Sequence, residues 1–144
     1  MQSAALFDHE KLRAYQEALK FCAWAGPVVD SLPVKLAARD QLDRASTSIV
    51  LNLAEGNGKR SHADRCRYLD IARGSALECA ACLDVLQVRN HLALEPCKQG
   101  KTVLLGVVSL IAGLIARFSA VDRTDHRLRE GEDDSTPDLG NENE

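Results

Sequence analysis

Four cationic side chains stand close together in the turn that joins two predicted helices, and their charge suits them to bind phosphate groups. They are Lys59, Arg60, Arg65 and Arg67, with Asp64 the one carboxylate among them. Cations that release counterions dominate non-specific affinity for nucleic acids. The start of the following helix adds backbone N–H donors and a partial positive charge at the same place. The cluster therefore indicates an RNA- or DNA-binding surface, and the competing interpretation is an ordinary solvated turn.

A line of polar side chains follows one face of the helix before this turn. Spacings of three or four residues connect Gln41, Arg44, Ser48, Asn52 and Glu55. The helix after the turn carries Ser75 and Glu78 at spacing three. We expect Arg44 to pair with Glu78 or Glu55 and Asn52 to bridge to Ser75, because a buried cation requires a partner. Together with Ser48, these residues predict a structural network that fixes helix register; a ligand or RNA groove is the alternative.

Residue types that often carry catalysis do not form a catalytic pattern here. Cys79 and Cys82 have the CxxC spacing, but they lie deep in a predicted helix, where no helix N-terminus lowers the pKa of a thiol. The other three cysteines are scattered, and the four histidines lack HExxH spacing. A nuclease needs converging acids, and the plausible pair, Glu55 and Glu78, is already assigned to Arg44. We therefore predict no enzymatic activity, no catalytic residue, no cofactor and no metal.

Helices must position these groups, because the chain has few residues that favour strands. It is 45% hydrophobic but contains only three Phe, two Tyr and one Trp. Asp8 is expected to cap the first helix, and Gly26-Pro27 to kink or break it, leaving residues 28–32 as a separate turn. Its predicted inward positions are Leu12, Tyr15, Leu19, Cys22 and Val29.

The second and third helices flank the basic residues. Pro33 is expected in the first turn of helix two, which runs to about Glu55. Positive φ at Gly56 and Gly58 should end it, and Ser61 should cap helix three, which runs to about Asn90. The inward positions of helix two are Leu42, Ala45, Ile49 and Leu53. Those of helix three are Tyr68, Ala72, Ser75, Cys79, Leu83 and Leu86.

Helix four begins near Glu95-Pro96 and is more apolar than one buried stripe requires. Its apolar positions are Leu104, Val107, Val108, Ile111, Leu114, Ile115 and Phe118. The excess predicts either a subunit interface or a central place under the other three helices. The apolar stretch at 103–118 is shorter than the roughly 20 residues that span a bilayer. No secretory signal is visible at the N-terminus, so we expect a cytoplasmic protein without membrane contact.

The net charge of −3 conceals two parts of opposite sign. Residues 1–120 hold 15 Lys and Arg against 12 Asp and Glu, which gives +3, whereas residues 121–144 hold 3 against 9, which gives −6. From Thr124 onward the chain lacks helical periodicity, which predicts an acidic disordered tail. This tail either keeps the protein soluble or shields a basic surface.

The region from helix two to helix three resembles a known family. The residues that carry the resemblance are Gln41, Leu42, Asp43, Arg44, Ala45, Ser48, Ile49, Asn52, Leu53, Ala54, Glu55, Gly56, Leu69, Ala72, Gly74, Ser75 and Glu78. They resemble the four-helix-bundle proteins encoded in intervening sequences of 23S ribosomal RNA genes, over roughly residues 6–120. The resemblance implies a cyclic pentamer without established catalysis and with a suspected role in RNA binding. A related family assists the reverse transcriptase of diversity-generating retroelements, which adds such an enzyme as a possible partner.

These observations lead to one prediction of architecture and two of function. The fold is an all-α, antiparallel up-down four-helix bundle at residues 1–120, followed by the acidic tail at 121–144, and it self-associates. The first function is an RNA-binding or nucleoprotein accessory role through the turn at residues 59–67. The alternative is a protein-binding scaffold that uses the apolar helix at 95–120 and the tail.

Overall fold

The structure, a computed structural model, describes residues 4–133. Within this range the chain forms a short 3-10 helix, four α-helices and no strand. The 3-10 helix is Asp8–Lys11, and the α-helices are α1 (Arg13–Ser31), α2 (Ala37–Asn57), α3 (His62–Val88) and α4 (Leu94–Asp133). The predicted all-α class with four helices is therefore confirmed.

A single core lies between the four helices and consists largely of Leu, Ala, Ile and Val. On α2 it takes the four predicted positions, Leu42, Ala45, Ile49 and Leu53. On α3 the predicted stripe from Ala72 to Leu86 is buried, Leu69 and Ala76 join it, and Tyr68 is half-buried. The α1 helix approaches α4 so closely that a Cβ at Gly100 would lie 2.5 Å from the Trp24 ring. Small residues thus allow close helix contact.

The helices pack in a closed order in which α2 and α4 each contact both α1 and α3. As α1 advances from Cys22 to Val29, its contacts on α2 recede from Ser46 to Arg39. The Cys22 thiol donates to the Ser46 carbonyl at 3.2 Å, and the Arg39 Nε donates to the Val29 carbonyl at 2.9 Å. The core therefore extends along the length of both helices.

The predicted break in the first helix is wrong, because α1 continues through Pro27 to Ser31. Proline lacks the N–H that would bond to the carbonyl of Ala23, and both residues are exposed, so water can reach the freed carbonyl. The inward stripe was also misplaced. The buried positions are Ala14, Ala18, Phe21, Ala25 and Val29, whereas Leu19 is 44% exposed. Alanines let α1 lie close to its neighbours, which a search for large apolar residues overlooks.

Three predicted helix ends also need correction. Asp8 does not cap α1; it opens the 3-10 helix and accepts a hydrogen bond from the Asn57 side chain at 3.0 Å. Pro33 precedes α2, and its carbonyl accepts from the Leu36 N–H across a turn. Neither Gly56 nor Gly58 has positive φ, which in the described chain occurs at Asn90 after α3. Asn tolerates the left-handed conformation better than most residues.

The predicted tail is partly helical. Residues 121–133 belong to α4, so the expected disorder is wrong there, and residues 134–144 lie outside the described residues. Leu94–Gly131 is long and apolar enough to cross a membrane by length and composition, and only 17% of its most apolar window is buried. A core helix of a soluble protein passes the same test when it is mostly buried, so this feature alone decides nothing about a membrane. The chain leaves much of α4 uncovered.

Candidate nucleic-acid interface

The basic turn, residues 59–67, is held by backbone and side-chain hydrogen bonds on both sides. The N–H groups of Gly58 and Lys59 bond at 3.1 Å to the last carbonyls of α2, on Glu55 and Gly56. On the other side, the Ser61 hydroxyl accepts from the Asp64 N–H at 3.1 Å, which is the predicted N-cap of α3. The turn is therefore well ordered by local bonds, and its cations project from a defined helix start.

Gly56 is required at the end of α2 by close packing. A Cβ on Gly56 would lie 2.7 Å from the Cβ of Tyr68, one of the shortest approaches in the described chain. Gly58 has φ −83° and would leave an added Cβ at an ordinary 3.5 Å from its nearest neighbour. The two glycines thus differ: Gly56 lets α2 and α3 meet, and Gly58 does not require glycine geometry.

Tyr68 gathers two of the predicted phosphate-binding cations. The Lys59 ammonium lies 4.9 Å from the centre of the Tyr68 ring, and the Arg67 guanidinium lies at the same distance. Arg67 also has Asp64 at 3.9 Å, a long and exposed pair. Such cation–π contacts hold a charged group in place while leaving its N–H donors free for a ligand. Sequence reasoning noted this tyrosine only as a lone aromatic, since the cross-turn approach of Lys59 is tertiary.

The other two cations differ in their surroundings. Arg60 is exposed, and the structure records no hydrogen bond or ion pair for it. Arg65 is half-buried: its Nε donates to the Lys59 carbonyl at 2.8 Å, and its guanidinium lies 5.2 Å from the Phe118 ring. Arg65 therefore anchors the turn on α4, whereas Arg60 is free to reach outward.

Phe118 on α4 forms the floor of this end of the bundle. The His62 ring stacks on it at 5.2 Å, and Arg117 lies 5.9 Å from the ring centre. The Nδ1 atom of His62 is buried and has no hydrogen-bond partner among the described residues. The sequence predicted Phe118 only as an apolar position of helix four. Its contact with the basic turn depends on how α3 and α4 pack.

The predicted polar network exists only in part. The Ser75 hydroxyl donates to the Ser48 hydroxyl at 2.9 Å between α2 and α3, and Asn52 donates to the same Ser48 oxygen at 3.0 Å. Asn52 does not bond directly to Ser75 here, because its amide turns back within α2 to Ser48. Ser75 is buried, so this pairing satisfies a hydroxyl that would otherwise be costly to bury. The prediction for these three residues is correct in its location and different in its bonding.

The expected ion pair of Arg44 is wrong. Arg44 pairs with Asp40 one turn earlier at 3.3 Å, and its side chain is 74% exposed. Glu55 and Glu78 are exposed, and among residues 4–133 the structure records no bond for either carboxylate. At the surface a cation keeps its hydration, so no carboxylate across the bundle is needed. Arg44 and Glu78 instead line an open polar groove of about 280 Å³ between α2 and α3.

Cysteines and metal ligands form no centre in the part of the chain that the structure describes. Burial raises the pKa of Cys79 to about 12, and it also raises the pKa of Cys82. Both thiols are therefore protonated and weakly nucleophilic at neutral pH. No three His, Cys, Asp or Glu side chains of residues 4–133 are grouped to hold a metal ion.

A second surface feature is an apolar groove between α3 and α4, with a volume of about 610 Å³. Its lining includes Leu77 and Leu105, which are 48% and 67% exposed. At its rim the Lys101 ammonium pairs with Asp84 at 2.8 Å, and this contact raises the pKa of Lys101. An apolar groove with a charged rim is typical of a protein contact surface.

Comparison with known proteins agrees with this fold. A family model described as 23S rRNA-intervening sequence protein matches residues 10–113. The chain belongs to this family. The match includes α1, α2, α3 and the first half of α4, and therefore the basic turn and the polar groove. Residues 114–133 of α4 lie outside the matched segment of the 23S rRNA-intervening sequence protein family.

A solved structure shares the fold. It is the crystal structure of a protein of unknown function from the S23 ribosomal protein family of Bacteroides thetaiotaomicron. The two chains are 22% identical with a TM-score of 0.67, and the match covers 71% of this chain and 97% of that one. At this identity the likeness shows the fold alone. A comparison with curated proteins finds no match.

Proposed function

We propose that this protein is a non-enzymatic RNA-binding accessory factor of nucleoprotein assemblies, with the basic turn as its contact surface. The observation that supports this proposal is the convergence of Lys59, Arg60 and Arg67 at the capped start of α3. Side-chain cations and the positive end of the helix dipole act there on the same volume. Arg65 contributes charge but mainly positions the turn through Lys59 and Phe118.

The proposed recognition is of the phosphate backbone. Tyr68 is engaged by Lys59 and Arg67, so its ring holds cations in place and is not an open platform for stacking bases. Phosphate contacts position a protein on a nucleic acid and carry no sequence information of their own. We therefore expect weak dependence on RNA sequence and strong dependence on salt.

The weak sites of one subunit gain strength by repetition. We propose an antiparallel up-down bundle that assembles into a cyclic pentamer in the cytoplasm, which would present the basic turn five times. The opposite order of contacts along α1 and α2 supports the topology. The exposed apolar residues of α3 and α4 support self-association, since another copy would remove them from water.

The alternative function is a protein-binding scaffold, and the apolar groove between α3 and α4 favours it. In that case the groove and helix 95–120 receive a protein such as a reverse transcriptase, and the acidic residues after 120 contribute charge. The groove is large enough for apolar side chains of a partner helix. This function does not use Lys59 or Arg60, which separates the two hypotheses experimentally.

The test compares two charge-reversal variants in the full chain. Lys59→Glu with Arg60→Glu should weaken binding to a generic single-stranded RNA, measured by fluorescence anisotropy. It should also reduce the slope of log affinity against log salt by about 2, roughly one for each lost phosphate contact. The matched control is Arg73→Glu with Arg89→Glu, which changes the net charge equally at exposed positions away from the turn.

The two variants make the outcome decisive. Equal loss in both would mean that net charge alone attracts RNA, which contradicts a site at the basic turn. A parent protein that binds no RNA at low salt would contradict the proposal and favour the scaffold function. The oligomeric mass of each variant, from light scattering, confirms that assembly has not changed.

A further inference from the structure

The α4 helix carries the chain out of the bundle beside the basic turn. Phe118 contacts His62 and Arg65, and the Cys66 sulfur lies 3.7 Å from the Ser119 hydroxyl. Beyond this point α4 continues to Asp133 with exposed side chains at every position whose burial the structure describes from Ala120 to Gly131. At 1.5 Å per residue, the segment from Phe118 to Asp133 extends about 22 Å past the turn.

The chain that follows is strongly acidic. Residues 134–144 lie outside the described part of the structure; they contain Asp134, Asp138, Glu142 and Glu144 and no Lys or Arg. The basic turn has three outward cations and one acid nearby. The two segments therefore have complementary charge, and they are connected by a single projecting helix.

We infer that the acidic segment at residues 134–144 docks on the basic turn of its own chain and competes there with RNA. The docking requires only the two charged segments, whereas the competition rests on the proposed function. Its occupant is an acidic peptide that presents carboxylates to the same N–H donors that would contact phosphates.

Distance selects this basic surface over the other one. Eleven residues can span at most about 36 Å when extended, which exceeds the 22 Å back to the turn. The cations Lys98 and Lys101 lie near the start of α4, and Lys101 is about 48 Å along the helix from Asp133. The segment cannot reach Lys101 within one chain, and that lysine already pairs with Asp84.

Zero-length carbodiimide cross-linking of the full chain tests the docking without RNA. This reagent joins a lysine amine to a carboxylate only when the two groups are in contact. At low salt we expect mass spectrometry to find Lys59 joined to Asp134, Asp138, Glu142 or Glu144, and about 1 M salt should abolish the product because the interaction is screened. A mixture of nitrogen-15-labelled and unlabelled protein identifies products within one chain. Products that join only different chains, or only Lys98 or Lys101, would overturn the inference.

RNA affinity of two neutralised full-length variants tests the competition. One carries Asp134→Asn, Asp138→Asn, Glu142→Gln and Glu144→Gln. The control carries Asp30→Asn, Asp43→Asn, Glu78→Gln and Glu95→Gln, the same change of charge at exposed positions of the helices. A tethered competitor at millimolar effective concentration should weaken RNA binding about 3- to 10-fold, so the first variant should bind that much more tightly than the control.

The combined outcomes separate the two proposals. Absence of the Lys59 product together with equal affinity of both variants overturns the docking, and RNA binding that still depends on Lys59 and Arg60 would leave the proposed function intact. A Lys59 product in a protein that binds no RNA in any variant supports the docking and contradicts the proposed function.

Discussion

At the scale of single residues, the turn between α2 and α3 depends on packing more than on special backbone conformation. Gly56 has ordinary negative φ, yet its missing side chain lets Tyr68 approach α2. Tyr68 in turn holds Lys59 and Arg67 near its ring. A change at Gly56 should therefore affect both stability and the arrangement of the cations.

We predict that Gly56→Ala destabilises the protein by about 1–3 kcal/mol, because the new methyl group would lie 2.7 Å from the Tyr68 Cβ. The matched control is Gly58→Ala, which has room for a methyl group and should change stability by no more than about 1 kcal/mol. Urea denaturation followed by circular dichroism measures both. Equal midpoints for the two variants would contradict the role assigned to Gly56.

At the scale of secondary-structure elements, α2 and α3 are joined by a small hydroxyl pair and not by an ion pair. Ser48 and Ser75 bond to each other in the interface, whereas Arg44 lies outside it with Asp40. A buried hydroxyl without a partner costs more than an exposed cation without one. Stability should therefore depend on the serines.

We predict that Ser48→Ala costs about 1–3 kcal/mol, because it leaves the buried Ser75 hydroxyl without the partner seen in the structure. Adding Ser75→Ala should recover part of this loss, so the double variant should cost less than the sum of the two single ones. Arg44→Ala should cost about 0.5 kcal/mol or less, because its pair with Asp40 is exposed. Chemical denaturation of the four variants measures these free energies of unfolding. A loss of several kcal/mol for Arg44→Ala would show that the arginine is buried in the assembled protein.

At the scale of the whole molecule, the chain leaves apolar surface uncovered along α3 and α4. Leu105 and Leu77 border the same groove and are largely exposed. Contiguous apolar surface of this kind marks a contact with protein or lipid. The proposed pentamer would bury it between subunits.

We predict that Leu105→Asp reduces the oligomeric mass measured by multi-angle light scattering, because a carboxylate would have to be buried in the subunit interface. Val34→Asp is the control, since Val34 is 81% exposed in the turn before α2 and borders a different groove. Circular dichroism should show that both variants remain helical. A parent protein with the mass of one chain would contradict self-association, and an unchanged mass for Leu105→Asp would place the interface elsewhere.

The sequence by itself determined the helical class, the α2 and α3 stripes and the start of α3. These features follow from local chemistry: periodic Leu, Ala and Ile, few aromatic residues, and a Ser61 hydroxyl three residues before the N–H that it caps. Family membership also followed, because spaced residues of two helices survive as a pattern along the chain. Such signals need no knowledge of which helices meet.

Tertiary structure decided the features that depend on which surfaces meet. The α1 helix continues through Pro27 and buries alanines, since its neighbours approach closely on one face and leave the proline in water. Arg44 remains at the surface, because the α2–α3 interface has room for two hydroxyl groups and no need of a charge. Phe118 joins the basic turn only because α4 lies beside the start of α3. Local propensity acts over a few residues, whereas burial and contact depend on residues far apart in the chain.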